Sequence, residues 1–360
     1  MSARSVLCTA CGFVEHTWSN GPPSPSSVVF ASRATAAGCE GYLSLRPPTA
    51  AEQSEEIAAF MSDPSAMLQH LFESARSAPF VADNDAYCAS VSSVRLVYDR
   101  FNLGFNALAT ELPSQTDEGS SDSLIIIFEG YVFWGRIASA AIGGCLTQRT
   151  GSPAPAIRAQ LEKLSPELCA DVKATHTLSP HIARWIEILE TNPNLRFDEF
   201  IKGVPEIAPL WSELLARRGA VVDALPTCLS TRGALAEART VLEGMLSWVI
   251  AHEIGHVCLQ HTRGSRDQKG WGGITRNQER EADSFASSLL QSRLSRHALL
   301  LGALLGELLT AWSRIGGDGS GTHPHSSERY HNLIRSMPSA VADASAIYLL
   351  AEGDWELLLP

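Results

Sequence analysis

The chain has 360 residues, 45% of them hydrophobic, and a formal net charge of −11, so it is long enough to bury a full catalytic core and carry a small appendage. An acidic balance of this size argues against a general grip on nucleic acid, which needs a basic surface that displaces counterions from phosphate. Eight cysteines behind an N-terminus with no continuous apolar leader read as thiols or metal ligands, not as a disulfide framework.

The first motif along the chain is Cys8-Thr-Ala-Cys11-Gly, the shape of a zinc knuckle in which glycine permits the tight turn of backbone N–H groups toward sulfur. Cys39, in Gly-Cys-Glu-Gly, can face it across a small hairpin, and His16 can complete a tetrahedral structural zinc site. A degenerate knuckle, or plain buried thiols, is the alternative. Residues 1–47 are therefore read as a possible knuckle module for docking, and 48–83, behind Pro47-Pro48, as a helical linker region. Cys88, Cys145, Cys169, Cys228 and Cys258 stand alone and read as small core residues.

Residues 84–345 read as the catalytic domain and 346–360 as a tail. The β-branched and aromatic run Leu124 to Phe128 predicts a strand, and the polar stretch 110–123 before it reads as a long loop that would join it to a strand upstream. An edge strand there can pair with an extended peptide; a buried structural role is the plainer reading for Leu124 to Phe128. Leu124 to Leu146 contains Glu129 and Arg136, and Ala298 to Trp312 contains Glu307, so both predict core elements and no membrane span. A cytoplasmic protein is the corresponding expectation. Between them lies an insertion, 151–233, opening on Gly-Ser-Pro-Ala-Pro and continuing as helical pieces at 156–163, 181–189 and 209–217, divided by Pro180, Pro193, Pro205 and Pro226. It reads as a helical scaffold, with a substrate-recognition lid as the alternative, and Trp185 and Trp211 as core residues.

His252-Glu253-Ile254-Gly255-His256 is the stretch that carries chemistry. On a helix, positions i and i+4 share a face, so both imidazoles can ligate one zinc ion while Glu253, about 100° round the helix, takes a proton from a metal-activated water. Leu242, Met245, Leu246, Val249 and Ile250 form an apolar stripe upstream, predicting a buried amphipathic helix that His261 and Gly264 end. Two plain core histidines would leave Glu253 buried without a partner, at a cost. A glycine-bearing loop, 262–275, then reverses the chain into a helix starting near Arg276, where Glu279 and Asp283 are again i and i+4. Glu279 can be the third ligand, and Asp283 can hold a ligand histidine by its distal N–H. Ala282 and Ala286 are small enough for close helix approach, and Phe285, Leu289 and Leu290 supply the core face. His325 and His331 carry no motif and read as surface residues.

His-Glu-Ile-Gly-His at 252–256, Glu-Arg-Glu-Ala-Asp at 279–283 and Thr322-His323-Pro324 with Arg329 together resemble the gluzincin peptidases, in particular the HtpX-like and CAAX-prenyl-protease group. Asn106-Ala107-Leu108-Ala109 is similar to that group's Asn-Ala-x-Ala strand. The resemblance covers roughly 100–340 and implies that His323 or Arg329 lies near the active site as an oxyanion donor. The competing reading is that Pro324 starts a helix and Arg329 pairs with an acid. The best-known members of the group are integral membrane proteins, and the long insertion is a second departure; soluble relatives include Lit-like phage-exclusion peptidases. The expectation is an α+β, zincin-like fold, mostly helical with a small sheet, in a zinc endopeptidase that acts on a peptide or protein substrate with Glu253 as general base. It would hold one catalytic zinc, with a second structural zinc possible at Cys8, Cys11, His16 and Cys39. The alternative is a proteolytically silent zinc-binding regulator that docks partners.

Overall fold

Ser-Leu-Ile-Ile-Ile-Phe at 123–128 offers no polar face to water, and the fold uses it as the middle strand of a sheet whose strand order follows from that burial. The computed structural model describes residues 4–7, 14–17, 60–100, 102–104, 106–111, 123–147, 154–189, 191, 192, 194, 195, 197–229, 233–262, 275–291, 297–312, 329, 332 and 333. Near the start, β1 (Arg4–Leu7) and β2 (Val14–Thr17) pair antiparallel, with Leu7 opposite Val14 and Ser5 opposite His16. Cys8, Cys11 and Cys39, the sulfur ligands expected of the knuckle, lie outside the described residues.

Three helices follow: α1 (Ser65–Arg76), α2 (Pro79–Ala82) and α3 (Asp85–Ser92). Asn84 starts α3 by accepting hydrogen bonds from the N–H groups of Ala86 and Tyr87, which the first turn would otherwise leave unpaired. Leu68, Leu71 and Phe72, from the stretch expected to be a linker, are buried in the main core. Then come β3 (Val94–Asp99), β4 (Ala107–Glu111) and β5 (Ser123–Phe128). β5 lies between the other two, parallel to β3 and antiparallel to β4, so among the described residues β4 is an edge strand. Strands were expected at β4 and β5; β3 was not expected, because Val94-Arg-Leu-Val-Tyr-Asp is short and its alternation fades after Leu96.

The chain passes from β5 directly into α4 (Glu129–Leu146), buried at every residue through Cys145. Its two charges are satisfied inside: Glu129 accepts from the Tyr98 hydroxyl, and Arg136 donates to the carbonyls of Met61 and Ser62. Next are α5 (Ala154–Leu189), α6 (Phe197–Lys202), α7 (Ala208–Asp223) and α8 (Leu225–Cys228). The break expected at Pro180 is absent, since α5 runs through both Pro166 and Pro180. An interior proline costs about 3 kcal/mol, but each fully buried large side chain returns about 1.5–3 kcal/mol. Leu178, Ile182 and Trp185 flank Pro180 and are buried with Phe197, Ile201 and Trp211 in a second hydrophobic cluster, which offsets the lost hydrogen bond. Trp185 and Trp211 are thus core residues, as expected. A buried ion pair pins this cluster to α4: Arg218 donates to both Asp171 oxygens at 2.8 and 2.7 Å, and Trp134 Nε1 donates to Asp171 at 2.9 Å.

α9 (Ala234–Cys258), α10 (Arg276–Leu290) and α11 (His297–Trp312) complete the described helices. α9 was expected to be amphipathic, yet every residue from Gly244 to Cys258 is buried. The reason is its central position, with α1, α4, α10, α11 and β4 all packed against it. Its closest neighbour is α11: a Cβ on Gly302 would lie 1.9 Å from the Val241 carbonyl oxygen, so the two backbones touch where side chains normally stand between helices. Among the described residues no helix is long and apolar enough to cross a membrane. The architecture is α+β, mostly helical with one small three-stranded sheet. Of the isolated cysteines, Cys145 and Cys258 are buried and Cys169 and Cys228 half-buried, but Cys88, expected in the core, is exposed.

Candidate metal centre

The site forms where α9 and α10 cross. Gly255, inside the His-x-x-x-His spacing, makes the crossing possible: a Cβ there would stand 3.2 Å from Ala282 Cα and from Phe285. α10 begins in a capping box, in which Thr275 Oγ1 accepts from the Gln278 N–H and the Gln278 side chain accepts from the Thr275 N–H. Glu279 therefore sits in the first turn, where the helix N-terminus favours a carboxylate.

His252, His256 and Glu279 are buried together, with one ligand atom of each lying within 4.8 Å of the others. The two Nε2 atoms are 3.0 Å apart, and the Glu279 carboxylate oxygens stand 3.5 Å from His252 Nε2 and 3.7 Å from His256 Nε2. Two imidazole nitrogens and a carboxylate converging on one point is a donor set suited to zinc and to other borderline divalent ions. Burial disfavours a charge on His252, but the hydrogen bonds its ring donates to Asp283 and Glu279 outweigh it and push its pKa up to about 10. His256, buried beside that positive ring, is held well below the ordinary histidine range.

Asp283 holds His252 from behind, 2.9 Å from Nδ1. Arg329 in turn donates to both Asp283 oxygens, from Nε at 2.8 Å and from Nη2 at 2.6 Å, and its Nη2 lies 3.4 Å from His252 Nδ1. Burial alone would raise the Asp283 pKa, but the guanidinium holds it well below the usual carboxylate range. Arg329 accordingly approaches the cluster on the Nδ1 side of His252, paired with an acid; His323 lies outside the described residues.

Glu253 is buried and its pKa is pushed up to about 7, first by desolvation and then by the Glu279 carboxylate. His252, the backbone N–H of Ala109 and Arg329 oppose that rise. The Ala109 contact ties the edge strand β4 to the carboxylate. A carboxyl poised near neutrality can exchange a proton in either direction at physiological pH.

One group was not anticipated beyond its place at the helix end. His261 was expected only to help terminate α9, yet its Nδ1 lies 3.1 Å from His256 Nδ1 and its Nε2 lies 3.0 Å from Glu281 Oε2. Gln260 brings this about. At φ 60° it is the only non-glycine residue with positive φ among the described residues. The following N–H groups close back on the helix, Gln260 to Val257 O at 3.0 Å and His261 to His256 O at 2.9 Å. A left-handed residue that is not glycine costs roughly 1 kcal/mol, and with no glycine at this position the turn leaves no signal in the sequence.

Residues 225–351 match the model of the family described as Peptidase U49. No curated protein and no solved structure matches the chain. The matched stretch begins at the first residue of α8 and carries α9, α10 and α11, with His252, Glu253, His256, Glu279 and Asp283; it leaves out the sheet and α5 to α7. The His-His-Glu cluster therefore lies within a segment that resembles a Lit-like peptidase family, which supports a peptidase.

Proposed function

We propose that the protein is a zinc-dependent endopeptidase of gluzincin type, in which His252, His256 and Glu279 hold the metal and Glu253 is the general base. The convergence of those three donors beside a carboxyl whose pKa is raised to about 7 carries this reading. Zinc held there would supply a Lewis acid to the scissile carbonyl and to the attacking water. Glu253 would accept the water's proton and return it to the leaving amine. The Asp283 carboxylate, clamped by Arg329, would fix the His252 ring. An extended substrate would pair with the outer edge of β4, where the Ala109 N–H already reaches the Glu253 carboxylate. His323 would be the oxyanion donor, since Arg329 is engaged with Asp283. The silent docking alternative gains nothing from the peptidase-family match.

The test is Glu253→Gln. Cleavage, read as new N-termini in a treated lysate, should fall about 10²- to 10⁴-fold while one zinc equivalent stays bound. Unchanged turnover would remove Glu253 from the mechanism, and absence of zinc from the native protein would remove the metal.

A further inference from the structure

The support for His252 is visible in its own helix pair, but His256 has a second support that no motif announces. Resting on the zinc reading above, we propose that His261, backed by Glu281, is a positioning residue that fixes the tautomer and ring orientation of His256.

The hydrogen-bond chain determines its own proton positions. Two ring nitrogens 3.1 Å apart, His256 Nδ1 and His261 Nδ1, share one proton, because two N–H groups facing each other would repel and two lone pairs would not attract. If His256 gives its Nε2 lone pair to a metal, its proton is on Nδ1, so His261 accepts at Nδ1. The remaining proton of His261 is then on Nε2, 3.0 Å from the Glu281 carboxylate, which accepts it. The chain runs from a buried ligand to a carboxylate whose side chain is 61% exposed, and its middle member is only 6% exposed. Each ligand histidine thus has a carboxylate behind it: Asp283 directly for His252, and Glu281 through His261 for His256.

The backbone gives a second, independent observation. His261 is five residues beyond His256, so a continued helix would carry it to another face. The left-handed turn at Gln260 is what returns it against His256, and the His261 N–H hydrogen bond to the His256 carbonyl locks that return. A strained residue at this one place has a purpose if the ring it delivers acts on the ligand.

The experiment measures zinc dissociation constants by chelator competition on the full chain and on His261→Ala, His261→Gln, Glu281→Gln and His256→Ala, with apo melting followed in parallel. Loss of a partner behind a ligand histidine costs about 10- to 100-fold in metal affinity. His261→Ala should show that loss without a matching drop in apo melting, and His261→Gln, which keeps an acceptor, should recover part of it. Glu281→Gln, altered only at the surface end, should show a smaller loss in the same direction. In zinc-loaded protein, nitrogen NMR should find His256 protonated at Nδ1. Affinities within twofold of the native value in both His261→Ala and Glu281→Gln would overturn the proposal. Should His261→Ala not fold, His261→Gln and Glu281→Gln decide: a loss in Glu281→Gln supports it, and native affinity in both overturns it. A native chain that takes up no zinc, or a His256→Ala chain that binds it as well as native, is a different outcome and defeats the metal reading itself.

Discussion

Arg329 reaches Asp283 from 46 residues further along the chain and grips both oxygens of its carboxylate, at 2.6 and 2.8 Å, while that same carboxylate holds His252. Removing the guanidinium leaves a buried carboxylate beside His252. We expect Arg329→Ala to destabilise the fold by about 3–5 kcal/mol, as uncompensated buried charges do. Arg329→Lys should retain the charge but not the fork, and fall between. Denaturant unfolding measures both, and a change under 1 kcal/mol in the alanine variant would show that Arg329 is not a clamp.

The Asp171–Arg218 pair offers a like test outside the His252, His256 and Glu279 cluster. Asp171→Asn leaves the buried Arg218 with a neutral partner and also disturbs the Trp134 hydrogen bond. The expected loss is about 3–5 kcal/mol in thermal or denaturant unfolding. Arg158→Ala, which breaks the exposed pair with Glu162, should change stability by less than about 0.5 kcal/mol.

At Gly302, helix propensity and packing oppose each other. Alanine would gain up to about 1 kcal/mol as a helix former. Its methyl would sit 1.9 Å from the Val241 carbonyl oxygen and 2.7 Å from the Met245 nitrogen, atoms that move only with the whole of α9. Overpacking of that kind costs about 1–3 kcal/mol or more, so a lowered melting temperature is expected. A raised one would mean that α9 and α11 do not cross here.

The described cysteines should separate by thiol chemistry. Cys88 is exposed, whereas burial pushes Cys258 up to about 12 and raises Cys145. A raised thiol pKa means less thiolate at a given pH: for Cys258 at pH 8, roughly one molecule in ten thousand. Iodoacetamide at pH 8 should therefore label Cys88 within minutes and leave Cys258 and Cys145 unmodified in the native protein, as read by peptide mass mapping. Rapid labelling of Cys258 would contradict its burial in α9.

His252 with His256, and Glu279 with Asp283, were legible as pairs because helix spacing sets which side chains share a face, and the likeness to the gluzincin motifs joined the two pairs into one cluster. The small residues Ala282 and Ala286 were legible for a similarly local reason, whereas the strand containing Ala109 was expected only from its likeness to the Asn-Ala-x-Ala strand of the gluzincin-like group. What was not legible depends on partners distant in sequence. α9 has polar residues along it, and only the arrangement of the elements packed around it shows that none of its last turns meets water. α5 survives Pro180 because of a hydrophobic cluster assembled from α6 and α7. Gly255 reads as a weak helix residue until Phe285 is seen 3.2 Å from where its Cβ would be. His261 depends on a left-handed glutamine, a conformation that sequence does not advertise.

The burial of α9 on all sides also sets how the cluster would come apart. Amide protons from Gly244 to Cys258 can exchange with solvent only when the main core opens, so they should be among the slowest in the chain. α10 buries one face, through Glu279, Ala282, Asp283, Phe285, Ala286 and Leu289, so its amides should exchange sooner than those of α9. On the proposed zinc reading, Glu279 would then leave with its helix while His252 and His256 stay in place, and a chelator would strip the ion at the rate at which α10 opens.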